Sequence, residues 1–295
     1  MNIVTKPIFF ENGCACALGT FDGVHLGHQS VISAAVKSGY TSVAVIILQK
    51  TRKKQLLSDS LNLKYFQNLG IDTALCLDLD DICDMAPDEY LKMLFDSMNV
   101  KLFVCGADHR FGKNAKGSSE NIKKFASENK IDCFFSDRVT KNGMSVSSTG
   151  IRELIADGDM EKAADFMGHD YAVDFEVIHG DSRGKKMGFA TINQSYPIGF
   201  ALPKFGVYAT VAVVDGKSYP AVTNVGIRPT FEVAKPLAET HIIGYKGDLY
   251  GKNIEVGFKS FLRPEKKFDS LNELISAIAS DKEKSMYIYK HRVLK

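Results

Sequence analysis

Ten residues, Gly19-Thr20-Phe21-Asp22-Gly23-Val24-His25-Leu26-Gly27-His28, connect a short apolar segment to a segment with helical spacing. Residues 14–18 are all small or apolar, which predicts a buried strand, and the apolar residues in 31–36 fall on one helical face. The glycines of the connection permit a tight turn in which backbone N–H groups approach a ligand. The junction therefore predicts a strand, a turn and a helix, with an anion held at the helix start.

The two histidines of this stretch suit such an anion. His25 and His28 are three residues apart, so both imidazoles can face one phosphate and each can donate a hydrogen bond to it. A polar surface residue beside a turn is the simpler interpretation of either histidine alone. The pair, together with the surrounding glycines, favours a phosphate site.

The stretch resembles the histidine-x-glycine-histidine signature of the nucleotidylyltransferase superfamily, whose members bind ATP in a doubly wound α/β domain. More closely, it is similar to the first motif of the prokaryotic bifunctional riboflavin kinase/FMN adenylyltransferases, also called FAD synthetases. This resemblance implies that His25 and His28 are catalytic. It also implies cofactor-binding roles for Gly19, Phe21, Asp22 and Gly23.

The composition places the chain among ordinary soluble globular proteins and gives no argument for a membrane or nucleic-acid-binding protein. A length of 295 residues favours two domains, and 24% charged with 45% hydrophobic residues is typical of a globular protein. The net charge of +2 gives no argument for nucleic acid or an anionic membrane, and the N-terminus has no signal-peptide or membrane-span character. Six cysteines without Cys-x-x-Cys spacing favour reduced thiols in a cytoplasmic protein. The family resemblance implies small-molecule partners, namely ATP, riboflavin and FMN. The oligomeric state stays open.

The hydrophobic pattern changes character at Gly168. Before it, strand-like and helix-like segments alternate, which predicts a doubly wound parallel sheet; after it, period-two patterns predict an antiparallel β-barrel. A last segment, 270–284, predicts a C-terminal helix that packs against the barrel through Leu271, Leu274, Ile275 and Ile278. The resemblance assigns residues 1–168 to a nucleotidylyltransferase (FMN adenylyltransferase) domain and residues 169–295 to a riboflavin kinase domain.

A second motif, residues 106–117, directly follows a predicted strand that ends at Cys105. Open α/β sheets bind ligands at the carboxyl ends of their strands. The run resembles the family's glycine-aspartate-x-x-phenylalanine-glycine loop, implicated in flavin and nucleotide binding, with His109 standing where many members carry phenylalanine. The resemblance implies cofactor-binding roles for Gly106, Asp108, Arg110, Phe111 and Gly112.

A third motif opens a predicted helix and reads Val146-Ser147-Ser148-Thr149-Gly150-Ile151-Arg152. Its hydroxyls can cap the helix or bind phosphate, and the residues alone favour neither interpretation. The motif resembles the superfamily's serine-serine-threonine-x-isoleucine-arginine signature, which holds the ATP phosphates. By this resemblance Arg152 is catalytic, and the cofactor-binding residues are Ser147, Ser148 and Thr149.

One loop departs from the family pattern. After the second predicted strand the family commonly has a proline-histidine-proline-like turn near ATP, whereas residues 48–54 read Leu-Gln-Lys-Thr-Arg-Lys-Lys. Substitute phosphate contacts and an ordinary solvated loop are both compatible with these charges, and the solvated loop is favoured. Adenylylation is therefore less strongly predicted than the kinase step.

The second half contains a glycine-rich run, residues 179–193, which could close over phosphates or form a simple hairpin. It resembles the riboflavin kinase loop that ends in proline-threonine-alanine-asparagine, with Ala190 and Ile192 in place of proline and alanine. The resemblance implies that Thr191 and Asn193 bind Mg²⁺ together with ATP. It also implies cofactor-binding roles for Gly180, Arg183, Gly184, Gly188 and Asn193.

Two further runs, 224–231 and 239–241, look like riboflavin kinase motifs. Glu239 matches the family's catalytic glutamate, which would accept the proton of the ribityl 5′-hydroxyl as that oxygen attacks ATP. Without the flanking motifs, an exposed strand glutamate is the better interpretation. Arg263 is a further candidate ligand contact.

The resemblance spans nearly the whole chain and implies two successive reactions. Riboflavin and ATP give FMN, and FMN and ATP then give FAD and pyrophosphate. The alternatives are a riboflavin kinase with weak or lost adenylylation and a non-catalytic flavin-binding regulator. A product assay with riboflavin and Mg-ATP distinguishes the three.

Overall fold

A computed structural model describes residues 1–48, 54–180, 189–228 and 235–293. Contacts between Cα atoms divide the chain into two compact units. The first unit contains Met1–Arg52 and Asp59–Ser148, and the second contains Lys53–Ser58 and Thr149–Lys295. All six cysteines lie within the described ranges and are free thiols. Among the helices of these ranges, none is both long and apolar enough to cross a membrane.

The described part of the first unit contains a six-stranded sheet whose neighbouring strands are all parallel. Its strands are β1 (Asn2–Val4), β2 (Cys14–Leu18), β3 (Thr41–Leu48), β4 (Thr73–Asp78), β5 (Val100–Gly106) and β6 (Asp132–Ser136). The helices are α1 (Leu26–Val36), α2 (Asp59–Asn68), α3 (Leu79–Ile82), α4 (Pro87–Met98) and α5 (Ser119–Asn129). A small hairpin, β7 (Thr140–Lys141) with β8 (Met144–Ser145), follows β6. The predicted doubly wound parallel sheet is confirmed.

The strand order of this sheet places a ligand-binding crevice next to β2. The order is β1-β4-β3-β2-β5-β6, so the chain runs from β2 to β3 and β4 on one side and then returns to β5 on the other. Ligands of open α/β sheets bind outside the carboxyl ends of the strands at such a reversal. The turns that follow β2 and β5 are therefore the two turns that border the crevice.

Apolar side chains cover both faces of this sheet. Phe103 and Leu91 belong to the cluster on one face, and Ile32 and Phe66 belong to the cluster on the other, all fully buried. Each such side chain contributes about 1.5–3 kcal/mol to folding. All five residues of β2 are buried, because this strand lies between two strands and between two helical layers. The turn after β2 is thus anchored in the core.

The second unit contains a seven-stranded antiparallel half-barrel sheet in its described part, with strand order β10-β11-β14-β13-β12-β15-β9. The strands are β9 (Ala172–Val173), β10 (Val177–Ile178), β11 (Ile192–Ser195), β12 (Gly206–Val214), β13 (Lys217–Arg228), β14 (Lys235–Ile242) and β15 (Glu255–Arg263). Helix α6 spans Ser148–Asp157, and helix α7 spans Met160–Met167 and ends at Gly168 in a left-handed conformation. The predicted antiparallel architecture is confirmed.

The C-terminal helix α8 (Leu271–Arg292) is confirmed, and of the four residues predicted to pack, Leu274 and Ile278 are half-buried whereas Leu271 and Ile275 are exposed. Leu271 is 59% exposed and Ile275 is 37% exposed, whereas the buried residues of the helix are Asp281 and Ser285. The reason is polar anchoring: Asp281 pairs with Arg263 at 2.9 Å, and the Ser285 hydroxyl donates to the carbonyl of Ala221. Packing of the helix through Leu271 and Ile275 was a wrong prediction.

Candidate active sites

The turn after β2 has the strained backbone that ligand sites often show. Gly23 adopts a φ of 83°, and two residues with side chains, Phe21 and Val24, also have positive φ values of 51° and 37°. Such conformations cost about 1–3 kcal/mol for a residue other than glycine and persist only where the surroundings enforce them. Burial enforces the backbone conformation of Phe21, because its ring packs edge-on against the ring of Phe66 with centroids 5.5 Å apart.

His25 caps the helix that follows the turn. Its Nδ1 atom accepts a hydrogen bond from the backbone N–H of His28 at 3.3 Å. Because Nδ1 is the acceptor, the neutral ring carries its proton on Nε2. The capping contact therefore fixes the tautomer and leaves one N–H donor on the other side of the imidazole.

His28 stacks on His25, with ring centroids 3.7 Å apart and ring planes at 15°. Burial holds the pKa of His28 well below its ordinary value, and the neighbouring His25 and His109 lower it further. The Nδ1 atom of His28 is buried and has no hydrogen-bond partner among the described residues. A buried polar atom without a partner costs about 1–3 kcal/mol, so the site suits a ligand that supplies the missing bond.

The third sequence motif reaches the same turn through Ser148. Its hydroxyl donates to the carbonyl of Asp22 at 3.1 Å, and Asp22 itself is 8% exposed. Ser147 and Thr149 are exposed at the start of α6. Arg152 lies on α6 in the second unit, where its Nε atom donates to the carbonyl of Lys54 at 2.6 Å.

The loop after β5 is anchored by Phe111. This ring is 8% exposed and contacts Tyr90, with centroids 5.8 Å apart, while the N–H of Lys113 donates to the carbonyl of Met85 at 2.8 Å. Asp108 pairs with Arg138 at 3.1 Å on the surface. Other predicted site residues of this loop are Gly106, which ends β5, Gly112 and the exposed Arg110.

In the second unit, strand register brings three polar residues into one row. Asn193 on β11 lies directly opposite Glu239 on β14, and Glu239 lies directly opposite Asn224 on β13. Opposite residues of antiparallel strands project to the same face of the sheet. The row therefore places amides on both sides of the predicted catalytic carboxylate. Sequence reasoning assigned no role to Asn224, and only the register identifies it.

Asn193 is held close to the glycine-rich run. It is 5% exposed, and its Oδ1 atom is buried without a hydrogen-bond partner in the part of the chain that the structure describes. A Cβ atom at Gly180 would overlap the Asn193 amide nitrogen, so a side chain at this position would displace the Asn193 amide. The predicted residues Arg183, Gly184 and Gly188 lie outside the described residues, as do residues 49–53 and 229–234.

A cavity of about 330 Å³ in this unit is lined by Thr191, Thr240, Tyr245 and Tyr250, among others, and by none of the three residues of the row. Thr240 neighbours Glu239 on β14, so it projects to the opposite face of the sheet. The ring of Tyr250 stacks on His179 at 3.9 Å. Thr240 continues a chain of buried hydroxyls, Thr240 to Thr223 to Thr210, with 2.8 Å between successive oxygens. These bonds hold three strands in register behind the cavity.

The donor chemistry of this site suits Mg²⁺. The Thr191 hydroxyl and the Asn193 Oδ1 atom are hard oxygen donors, and Mg²⁺ in nucleotide sites usually takes only one or two protein ligands besides phosphate and water. The described residues contain no group of three or more histidine, cysteine, aspartate or glutamate side chains arranged for a metal. These two oxygens therefore fit a cation that arrives with ATP.

The guanidinium of Arg263 contacts two side chains of the protein itself. Its guanidinium donates to both carboxylate oxygens of Asp281 and lies 5.5 Å from the ring centroid of Phe268. Asp281 is 2% exposed, so this is a largely buried ion pair. His241 lies two residues after Glu239 on β14, and its Nδ1 atom donates to the carbonyl of Ala190 at 2.9 Å. Burial lowers the pKa of this imidazole.

Two family models match separate parts of the chain. The FAD synthetase model matches residues 9–150, and the riboflavin kinase model matches residues 167–289. The first range contains the stacked histidines, and the second contains the row around Glu239. The class of protein is thus a two-domain enzyme of flavin biosynthesis, with one nucleotidyltransferase domain and one kinase domain.

Full-length relatives show the same combination. The bifunctional riboflavin kinase/FMN adenylyltransferase of Listeria monocytogenes is 30% identical over 282 residues, covering 90% of each chain. That of Bacillus subtilis is 30% identical over 289 residues, covering 92% of this chain and 90% of the relative. The chain belongs to the bifunctional riboflavin kinase/FMN adenylyltransferase family, and the family predicted from the sequence is confirmed.

A solved structure supports the fold alone. The crystal structure titled macrolide-efflux protein from Streptococcus pneumoniae superposes with a TM-score of 0.85 at 24% identity, covering 96% of this chain and 98% of that chain. The similarity therefore extends over both units of the fold.

Proposed function

We propose that this enzyme phosphorylates riboflavin to FMN within residues 169–295 and adenylylates FMN to FAD within residues 1–168, each time with Mg-ATP. One observation carries the proposal. Each matched segment holds a buried polar atom that lacks a partner among the described residues, His28 Nδ1 in the first and Asn193 Oδ1 in the second. Each atom lies in a predicted phosphate site, so each segment has its own place for ATP.

In the kinase reaction, Glu239 accepts the proton of the ribityl 5′-hydroxyl while that oxygen attacks the γ-phosphorus of ATP. The bond between the γ-phosphorus and the bridging oxygen breaks, and ADP leaves. Asn193 and Asn224 flank Glu239 by strand register, and the Asn224 amide is itself held by donating to Glu265 at 3.1 Å. We assign both amides to positioning the substrate beside the carboxylate. Thr191 and Asn193 hold the cation, which neutralises phosphate charge when it is bound. Gly180 lets the phosphates approach Asn193 closely.

In the adenylylation reaction, a phosphate oxygen of FMN attacks the α-phosphorus of ATP in line, and pyrophosphate leaves. This reaction needs no covalent enzyme intermediate. His25 donates from Nε2, and His28 donates to the phosphoryl oxygens on which charge grows. Ser147, Ser148, Thr149 and Arg152 are the proposed contacts of the ATP phosphates.

The remaining predicted ligand contacts keep the same roles in this proposal. The turn residues Gly19, Phe21, Asp22 and Gly23 border the nucleotide, and the loop of Gly106, Asp108, Arg110, Phe111 and Gly112 borders the flavin. Arg263 would contact a ligand only by sharing its guanidinium with Asp281. We further propose that the enzyme works in the cytoplasm on small molecules, without a nucleic-acid or membrane partner.

A time-resolved product assay tests whether the enzyme catalyses both reactions. Riboflavin and Mg-ATP are incubated with the enzyme, and flavins are separated chromatographically. FMN that appears first and FAD that follows would support both activities. FMN alone would support a riboflavin kinase whose first domain no longer adenylylates. The absence of both FMN and FAD would support a flavin-binding regulator without catalysis.

A further inference from the structure

The C-terminal helix carries a lysine that the reactions above do not use. Two polar contacts fix α8 on the sheet: the Ser285 hydroxyl donates to the carbonyl of Ala221 on β13, and Asp281 pairs with Arg263 at the end of β15. Lys282 directly follows Asp281 and is half-buried. These contacts therefore place the Lys282 side chain at the boundary between the helix and the sheet.

The Lys282 ammonium lies over the ring of Phe189, with Nζ 5.4 Å from the ring centroid. The same ring meets His241 edge-on, with centroids 5.7 Å apart and ring planes at 84°. His241 is tied to the residue after Phe189, because its Nδ1 atom donates to the carbonyl of Ala190. Burial lowers the pKa of His241, and the charge of Lys282 lowers it further. Helix α8, β14 and the segment before β11 thus meet at one cation.

This cluster borders the proposed kinase site. His241 and Glu239 are two residues apart on β14, so their side chains project to the same face of the sheet. Ala190 directly precedes Thr191, the proposed ligand of the cation that arrives with ATP. The ammonium therefore lies at the edge of the face on which phosphorylation is proposed to occur.

The Lys282 ammonium pairs with no carboxylate in the part of the chain that the structure describes. The neighbouring carboxylate, Asp281, is occupied by Arg263. A half-buried cation loses part of its hydration, and an anion that binds beside it offsets this cost. The face of the Phe189 ring attracts the cation without offering it a strong hydrogen-bond acceptor. The position therefore suits an anionic group of a ligand, and phosphate is the anion of the proposed reaction.

We propose that Lys282 contacts the phosphoryl group that the kinase transfers, with its ammonium donating to the phosphoryl oxygens. This group is the γ-phosphate of ATP before the transfer and the 5′-phosphate of FMN after it, so the ammonium meets the same oxygens in substrate and product. Lys282 keeps its protons throughout, and its charge stabilises the oxygens while the bond to ADP breaks. The inference rests on the proposed location of riboflavin phosphorylation in the second domain.

Two variants separate the charge of this side chain from its bulk. Lys282→Met keeps an unbranched stem without the charge, and Lys282→Arg keeps the charge. Riboflavin phosphorylation is measured with ATP varied, with riboflavin varied, and with FMN added as a product inhibitor. We expect Lys282→Met to lower kcat/KM for ATP by roughly tenfold to a hundredfold and to raise the inhibition constant of FMN by roughly tenfold. The KM for riboflavin, which carries no phosphate, should stay within about twofold, and Lys282→Arg should stay within about fivefold of the native enzyme throughout.

Two controls accompany the pair. Lys284→Met removes an exposed lysine from the same helix, and it should change none of these constants. FAD formation from supplied FMN by Lys282→Met should equal that of the native enzyme. An unchanged KM for riboflavin in the same variant shows that the second domain is folded.

A native kcat/KM for ATP in Lys282→Met would overturn the inference. Equal losses in Lys282→Met and Lys282→Arg would also overturn it, because the fit of the side chain and not its charge would then matter. A loss for ATP with native inhibition by FMN would place the ammonium on a phosphate that is not transferred, and a rise in the KM for riboflavin alone would place it on the flavin; either result contradicts the assignment.

Glu239→Gln is measured in parallel. If that variant phosphorylates riboflavin normally, the proposed kinase site itself is wrong. If it does not, and the Lys282 variants behave as the native enzyme does, only the role of Lys282 is wrong.

Discussion

The turn after β2 and the row on β11, β14 and β13 build their sites in different ways. In the parallel sheet, consecutive residues of one turn supply the site, so His25 and His28 are neighbours both in sequence and in space. In the antiparallel sheet, Asn193, Glu239 and Asn224 are far apart in sequence, and only strand register brings them together. A site built on a turn can be recognised from a short motif, whereas a site built on strand faces requires the pairing.

The two proposed sites also differ in their chemistry. The first contains two stacked imidazoles, and burial lowers the pKa of one of them, His28. In our proposal the second uses a carboxylate between amides and oxygen donors for a cation. Variants that remove one activity and spare the other test whether this contrast is functional.

The largest effect is expected from Glu239→Gln. Loss of the general base should lower riboflavin phosphorylation by about 10²–10⁴-fold, because the amide cannot accept the proton. FAD formation from supplied FMN should be unchanged. Both rates are measured by product separation, with riboflavin binding as a check that the site is intact. Native phosphorylation in this variant would remove Glu239 from the mechanism.

The reciprocal variant is His28→Ala. Removal of one donor to the transition state should lower FAD formation by about 10²–10³-fold. Riboflavin phosphorylation should continue at the native rate, which also controls for folding. If FAD formation were near normal, or if both activities fell together, the assignment of the stacked pair to adenylylation would fail.

A smaller effect is expected from Gly180→Ala. The added Cβ would overlap the Asn193 amide and displace it, which should lower kcat/KM of the kinase on the order of tenfold while sparing adenylylation. Gly257→Ala is the matched control, since its Cβ would lie 3.5 Å from the nearest atom, the Asp170 Oδ2. Equal activities of the two variants would show that Asn193 does not need its present position.

The smallest effect concerns the pH dependence of stability. Burial lowers the pKa values of His28 and His109 in the folded protein, so between about pH 4 and the ordinary histidine value of 6.5 the unfolded chain binds more protons. Stability therefore falls as the pH falls through this window. We expect the Tm to drop less between pH 7 and 5 in a variant carrying both His28→Gln and His109→Phe. His241 in the second site retains its own contribution, because its pKa is also lowered. A drop as large as in the native protein would contradict the assignment.

Sequence patterns predicted most of the fold because hydrophobic periodicity is local. The strand 14–18 follows from an apolar run, and the change of pattern predicted at Gly168 coincides with the end of α7, where this glycine adopts a left-handed conformation. The short strand β1 was not predicted. Three residues carry no periodic signal, and it is a strand only because Asn2–Val4 pairs with β4.

The candidate sites were predicted in part. Motif residues such as His28 and Glu239 were found, but their partners were not, and the role of each predicted site residue stays a prediction. Asn224 stands next to Glu239 by register, and His109 stands next to Phe111 by the course of a loop. The pairing of Glu239 with Asn224 has no fixed spacing along the chain, whereas His109 and Phe111 are two residues apart and only the orientation of their rings required the structure. The C-terminal helix shows the same limit, since its apolar spacing did not predict that Asp281 and Ser285, further along the helix, are its buried residues.

The sequence by itself determined the family, the two fold classes and the turn that holds His25 and His28, because these depend on neighbouring residues and on local backbone preferences. The tertiary structure decided which atoms are buried without partners, which imidazoles are kept neutral and which amides flank Glu239. Those properties arise from burial and strand register, which are set by contacts between distant parts of the chain.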